Sequence, residues 1–150
     1  MILGVISDTH GHLRPEARAA LSGVDLILHA GDFGRPEVMS ELEQIAPSRF
    51  IRGNVDTAPW AQGLPETATL AVGGRRIHML HDVKELDFDP RAEGFDAVVA
   101  GHSHRPSAEV RNGVLYLNPG SAGPRRFRLP VTLARLDTSD MSARILTLLP

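Results

Sequence analysis

The chain has 150 residues, 42% of them hydrophobic, with seven histidines, no cysteine and a formal net charge of −2. That length suits a single domain over 1–150, able to bury roughly 68–70% of its unfolded surface. The lack of cysteine excludes disulfides, thiolate metal sites and cysteine nucleophiles, and the near-neutral charge offers no general pull toward nucleic acid or an anionic membrane.

The opening MILGVISD carries no basic region, and Asp8 interrupts its apolar run. It is therefore not read as a signal peptide or membrane span, and a cytoplasmic location is expected. The first third alternates strand and helix: a strand near 2–7, a helix from Pro15 to Leu21, a strand at 24–29, a helix near 36–46 and a strand near 49–52. This order predicts parallel strands joined by helical crossovers. Pro15 and Pro36 suit a first helical turn, where a missing N–H costs nothing. Val38, Leu42 and Ile45 form one apolar stripe opposite Glu37, Glu41 and Gln44. From about residue 67 the pattern turns strand-rich. TLAV and RIHMLH flank Gly73-Gly74, and further strands are expected at 96–100, 107–111, 114–117, 131–137 and 142–148, with Asn112-Gly113 as the clearest hairpin turn. The charged segment 83–94 reads as a short helix or a loop. Two packed sheets with helices outside accommodate both halves.

Five strand ends finish on metal-ligand chemistry: Asp8 and His10, Asp32, Asn54, His81, then His102 and His104. Open α/β sheets bind ligands at that carboxyl edge. A one-residue separation on extended backbone would aim both members of a pair the same way. Seven such groups exceed the needs of one tetrahedral zinc, whereas two metals sharing a bridging carboxylate would use them all. Blander readings exist for each residue alone. Asp32 could cap a following helix, and a Gly-Asn pair is commonly just a turn. The His102 and His104 couple resists such a reading, because two imidazoles on one face repel when protonated while metal binding uses the neutral form. Asn54 offers a neutral amide oxygen that adds no charge beside two aspartates.

The motifs SDTHG, HAGD, RGNVD, LHD, GHSH and NPGS follow one another between residue 3 and about residue 126. In that order they resemble the calcineurin-like metallophosphoesterase superfamily, and within it the small bacterial and archaeal phosphodiesterases. The resemblance implies an α/β fold, a four-layer α/β/β/α sandwich of two mixed sheets flanked by helices. It implies one cation at Asp8, His10, Asp32 and His104 and a second at Asp32, Asn54, His81 and His102, with Asp32 as the bridge. The two divalent ions would be manganese foremost, or iron, zinc or nickel. The implied activity is hydrolysis of a small phosphodiester, nucleotide-like ones included, by water or hydroxide held between the cations. Asp32, Asn54 and His102 would form the catalytic set, and the NPGS turn, Asn118 to Ser121, would support it.

Two departures bear on activity. Many relatives place a proton-donating histidine after the motif asparagine; here Val55 stands there, and lost general-acid help is typically worth about 10²–10⁴ in rate. His12 is a candidate substitute at the substrate, against the blander reading of an exposed loop imidazole, and Asp56 is left to hold the turn. After His81 the chain reads Asp82-Val83, where similar chains often continue with glycine and histidine. His29 and His78 lie inside expected strands and are excluded as ligands. Arg125, with Arg126 and Arg128, could rim the site for a phosphate, and Arg52 and Arg105 flank ligands. Trp60 is read as an aromatic plug. The expected partner is a small-molecule phosphodiester, with homo-oligomerisation left open and no strong nucleic-acid binding, since no basic stripe is present. A competing class is a scaffold, because the same fold serves as a protein-interaction subunit of the retromer complex. That scaffold replaces the residue equivalent to His10, which this chain keeps.

Overall fold

The computed structural model describes residues 1–126 and 128–149. In chain order the elements are β1 (Ile2–Ile6), α1 (Pro15–Ala20), β2 (Leu26–His29), α2 (Glu37–Glu43), β3 (Ser48–Phe50), β4 (Thr67–Val72), β5 (Arg75–Leu80), β6 (Ala97–Val99), β7 (Ser107–Arg111), β8 (Val114–Asn118), β9 (Val131–Asp137) and β10 (Ser142–Leu149). The strands form two five-stranded sheets, ordered β10-β9-β1-β2-β3 and β4-β5-β6-β8-β7. Both are mixed. In the first, β1 pairs parallel with β2 and β2 with β3, while β9 runs antiparallel to β1. In the second, β6 lies parallel to β5 and β8, with antiparallel β4 and β7 at the edges.

Alternation along the strands builds the layers. Leu3, Val5, Leu28 and Ala30 from the first sheet meet Ile77, Met79, Ala97 and Val99 from the second in the central core. The other face of the first sheet, through Ile6 and Ile27, packs on Ala17 and Leu21 at the first helix and on Val38 and Leu42 of α2. Burying such an aliphatic side chain is worth about 1.5–3 kcal/mol. That tertiary contact holds the seven-residue α2 in place, since a helix so short is marginal alone. Pro15 opens α1 at its first position, while Pro36 sits one residue earlier, at the N-cap of α2.

The outer face of the second sheet is covered differently. Over it lies the segment following β5, with a single 3₁₀ turn at Val83–Glu85 rather than an α-helix. Leu86 packs there against Leu80, Val98, Ala100, Val114 and Tyr116, and Phe88 and Phe95 enclose His78 edge-on. So few apolar residues in a charged stretch explain its weak periodicity. Among the described residues no helix is long and apolar enough to cross a membrane.

Candidate metal centre

The ligand-type residues leave the carboxyl ends of the parallel strands β1, β2, β3, β5 and β6, and the packing of the sheets brings those ends together. The backbone there is not extended. Asp8 (φ 55°), His10 (φ 46°), Asp32 (φ 64°), His102 (φ 68°) and His104 (φ 62°) all adopt left-handed conformations, which non-glycine residues visit rarely and at a cost of about 1–3 kcal/mol each. This corrects the expectation that pairs one residue apart would aim alike because the chain is extended. Asp8 and His10 do converge, but His102 and His104 part: the His104 ring lies 5.4 Å from His10 and the His102 ring 5.2 Å from His81.

Hydrogen bonds between loops hold these turns. Asp8 N–H donates to Gly31 O at 3.0 Å, His10 N–H to Asp32 O at 3.1 Å and Gly101 N–H to His81 O at 2.9 Å. Two glycines make the close approach possible. A Cβ on Gly53 would collide with the Asp32 carboxylate, and one on Gly101 with Ser7 Oγ and the Asp8 carboxylate.

Asp8 is fully buried. Its Oδ2 accepts from Ser7 Oγ at 2.7 Å and from His102 N–H at 3.1 Å. Its Oδ1 lies 3.3 Å from His104 Nε2 and 3.8 Å from both His10 Nε2 and His81 Nε2. Asp32 Oδ1 accepts from Val55 N–H at 3.0 Å, and Oδ2 faces His81 Nε2 at 3.1 Å and His10 Nε2 at 3.9 Å. Two triplets, Asp8 with His10 and His104, and Asp8 with Asp32 and His81, thus place their ligating atoms within 4.8 Å of one another. The motif resemblance implies Asp32 as the bridge; Asp8 is equally central, since it belongs to both triplets.

Asp8 Oδ1, His10 Nε2 and His81 Nε2 are buried without a hydrogen-bond partner. Leaving such atoms unmade costs about 1–3 kcal/mol each, more when charged. A carboxylate and imidazole donor set of this kind suits hard to borderline divalent cations, so the residues present fit the metals that the motifs imply. Without a cation the charges of the centre act on one another. Burial pushes the His81 imidazole down, but the facing Asp32 carboxylate and the Asp8 charge outweigh it and hold the pKa up at about 9. Burial likewise pushes Asp32 up, yet His81 and the Val55 N–H hold it at about 2. For His10 burial prevails over both carboxylates and its pKa falls.

Asn54 and His102 are exposed and, with His81, Gly53, Arg52 and Asp82, line one end of a half-open cavity of about 650 Å³. His102 Nε2 lies 3.7 Å from Asp82 Oδ2. His12 is exposed on the loop after His10, its N–H bonded to Thr9 O at 3.0 Å. Arg125 donates to Leu149 O at 3.4 Å, whereas its neighbour Arg126 lies near enough to His10 for its charge to lower that pKa. Arg52 is paired to Glu66 at 2.7 Å. Trp60 packs edge-on to Phe33 at 6.4 Å, as a plug would.

Support for the centre is richer than sequence suggested. Asp56, 2% exposed, accepts through Oδ2 from Asp32 N–H at 2.8 Å and Gly53 N–H at 2.9 Å, and through Oδ1 from Phe33 N–H at 3.0 Å. It clamps the loop after β2 to the loop after β3. Its position two residues past Asn54 hinted only at a turn. His29 accepts from Gly31 N–H through Nδ1 at 3.0 Å. Thr9 Oγ1 gives its proton to Phe33 O at 3.0 Å, so the 3.1 Å contact with His29 Nε2 requires an N–H there. Burial pushes His29 down to about 3, which keeps it neutral, and these hydrogen bonds select that tautomer. In the NPGS turn, Asn118 Nδ2 donates to Gly101 O at 2.9 Å and Ser121 Oγ to Asp8 O at 2.9 Å.

Two facing mixed sheets, with carboxylates and imidazoles converging at the ends of their parallel strands, define a metallophosphoesterase-type α/β sandwich. Residues 1–141 match the family model described as the calcineurin-like phosphoesterase superfamily domain, and the chain belongs to that superfamily. It is similar to a probable metallophosphoesterase of Methanothermobacter thermautotrophicus, 33% identical with 97% of this chain and 92% of that protein covered. Among solved structures, an archaeal phosphodiesterase superposes with a TM-score of 0.84 at 25% identity, covering 98% of this chain and 99% of that one. Vps29 of Entamoeba histolytica, solved in complex with zinc, shares the fold with a TM-score of 0.76 at 21% identity, covering 99% of each chain.

Proposed function

We propose that the protein is a divalent-metal-dependent phosphodiesterase acting on a small phosphodiester, with two cations held by Asp8, His10, Asp32, Asn54, His81, His102 and His104. The observation that carries this reading is the cluster of three buried, unpartnered donor atoms at Asp8, His10 and His81. Bound cations, manganese foremost among manganese, iron, zinc and nickel, would supply Lewis-acid activation of water and neutralise charge at phosphorus.

The chain's own groups do the rest. Asp56, Ser7, Ser121 and Asn118 fix the loops before substrate arrives, which is the preorganisation that makes electrostatic stabilisation effective. Asn54 and His102, which line the cavity, would meet the phosphoryl group, with Asp32 completing the catalytic set. Val55 is 47% exposed beside them and has no proton to give, which favours leaving groups that depart as stable anions. The superfamily membership, the archaeal phosphodiesterase similarity and the retention of His10 support this reading over a purely structural one.

The test is a matrix of metals against bis(p-nitrophenyl) phosphate and p-nitrophenyl phosphate, with Asp32→Ala as the blank. Metal-dependent diester turnover, reduced about 100-fold or more in the variant, is expected. No diester hydrolysis with any of the four metals, together with metal binding unchanged by Asp32→Ala, would refute it. The second reading is a protein-interaction scaffold of the same fold, a fold that Vps29 shares. Because that Vps29 was solved with zinc, metal binding alone does not separate the two readings; turnover does.

A further inference from the structure

The cavity of about 650 Å³ beside Asn54, His81 and His102 has a chemistry of its own. Away from the metal ligands its wall carries the carboxylates Glu66, Asp82, Glu85 and Asp87 against one guanidinium, Arg52. Arg52 is already engaged with Glu66 at 2.7 Å. Among the described residues neither Glu85 nor Asp87 forms an ion pair. The remaining wall is apolar and aromatic: Leu80, Leu86 and Phe88, with the Phe88 ring edge-on to His78 at 4.9 Å. His81, 7% exposed, lines this space and has an unpartnered Nε2, so the cavity is continuous with the metal centre.

We propose that this cavity is the subsite for one alcohol arm of the substrate and that it selects an arm bearing an ammonium group, making the preferred substrate a zwitterionic phosphodiester. The inference rests on the phosphodiesterase reading above. The phosphate would sit among the divalent cations, while the second end of the molecule enters a wall where Glu66 and Asp82 are paired to Arg52 and His102 and the Glu85 and Asp87 carboxylates leave an excess of negative charge. A cleft with an excess of one sign of charge and low-dielectric walls concentrates ligands of the opposite sign. Phe88 adds aromatic surface to the wall, and aromatic rings attract ammonium ions. A substrate carrying further phosphates would meet repulsion from the same carboxylates. The three carboxylates Asp82, Glu85 and Asp87 all come from the segment that covers the second sheet, beginning right after His81. Chemistry and specificity thus branch from one strand end.

The experiment compares two diesters that differ only in the charge of one arm: p-nitrophenyl phosphocholine and its isostere with an uncharged arm, p-nitrophenyl 3,3-dimethylbutyl phosphate. In both, the oxygen of water joins phosphorus, the P–O bond to p-nitrophenolate breaks, and one proton passes to solvent. With manganese present, kcat/KM is expected to favour the choline diester about tenfold, equivalent to roughly 1.4 kcal/mol. In the double variant E85Q/D87N, whose positions are exposed, the ratio should fall toward one. In parallel, choline is titrated into the protein without added metal and followed by ¹H–¹⁵N spectra. Shifts confined to residues 82–88, absent with 3,3-dimethylbutanol, are expected. Equal turnover of both diesters without choline-induced shifts overturns the subsite and leaves the phosphodiesterase reading standing. A choline preference that E85Q/D87N leaves intact overturns the assignment to these carboxylates. Choline-induced shifts without hydrolysis of any diester uphold the cationic subsite and overturn the hydrolase.

Discussion

Asp56→Asn tests whether the centre is held by a buried carboxylate acting on backbone rather than on another side chain. The carboxylate receives Asp32 and Gly53 N–H groups on one oxygen and the Phe33 N–H on the other, at 2.8–3.0 Å. Asparagine has the same outline but only one acceptor oxygen. Directing that oxygen at the Asp32 and Gly53 pair leaves Phe33 N–H facing an amide NH₂; the reverse choice strands two donors, and in either case the surviving bonds lose their charge. Hydrogen bonds to a charged partner contribute about 1.5–3 kcal/mol each, so the variant should lose about 3–5 kcal/mol. That is a large share of the ~5–15 kcal/mol that stabilises a typical domain. At about 2–4 °C per kcal/mol for a chain of this size, the Tm should fall by ~10 °C. Circular dichroism melts of metal-free protein measure the loss, and manganese calorimetry should show weakened binding, because the Asp32 loop is no longer tied to the Asn54 loop. A Tm within about 2 °C of the parent with unchanged manganese affinity would refute the clamp.

Three further outcomes follow from the same geometry. Since His81 holds its proton up to about pH 9 without metal, and metal takes the neutral imidazole, manganese binding at pH 7 should release close to one proton. Calorimetry in buffers of different ionisation enthalpy reads this, and no release would sink it; affinity should rise with pH until about 9. His29 has its pKa lowered to about 3, below the ~6.5 of an unfolded histidine. It therefore contributes stability above pH 6.5 that is lost as pH falls toward 3, about 2–3 kcal/mol by pH 4.5. Urea melts at the two pH values should show that loss, with a shallower slope in His29→Gln. The lowered His10 and His78 act in the same direction, and a slope identical in the variant would count against His29. Lastly, with Val55 unable to protonate a leaving group, rates across a series of aryl diesters should fall steeply with leaving-group pKa. Val55→His should flatten the dependence; a flat series in the parent protein would show that another donor serves.

The strands were legible because their patterns are local: apolar alternation, Gly73-Gly74 and Asn112-Gly113 mark them without reference to the rest of the chain. The segment from Val83 to Gly94 was not, since Leu86 packs on the outer face of the second sheet and Phe88 on His78, partners that no periodicity within the segment reveals. The backbone at the ligands was misread for a related reason. Left-handed turns at Asp8, His10, Asp32, His102 and His104 are sustained by hydrogen bonds from other loops, and side-chain spacing carries no sign of those.

By itself the sequence determined which donor groups exist and that each ends a strand, because a carboxylate or imidazole after an apolar run is recorded residue by residue. The motifs already group His104 with His10 and His102 with His81, but the left-handed turns that carry the rings there were decided only in three dimensions. His104 comes to His10, and His102 to His81, through the packing of one sheet on the other, and Asp8 becomes as central as Asp32 for the same reason. Asp56 and the acidic cavity are of that kind too. A carboxylate's role depends on whether it faces a cluster of backbone N–H groups or an open space, and that is a property of the folded neighbourhood rather than of the residue.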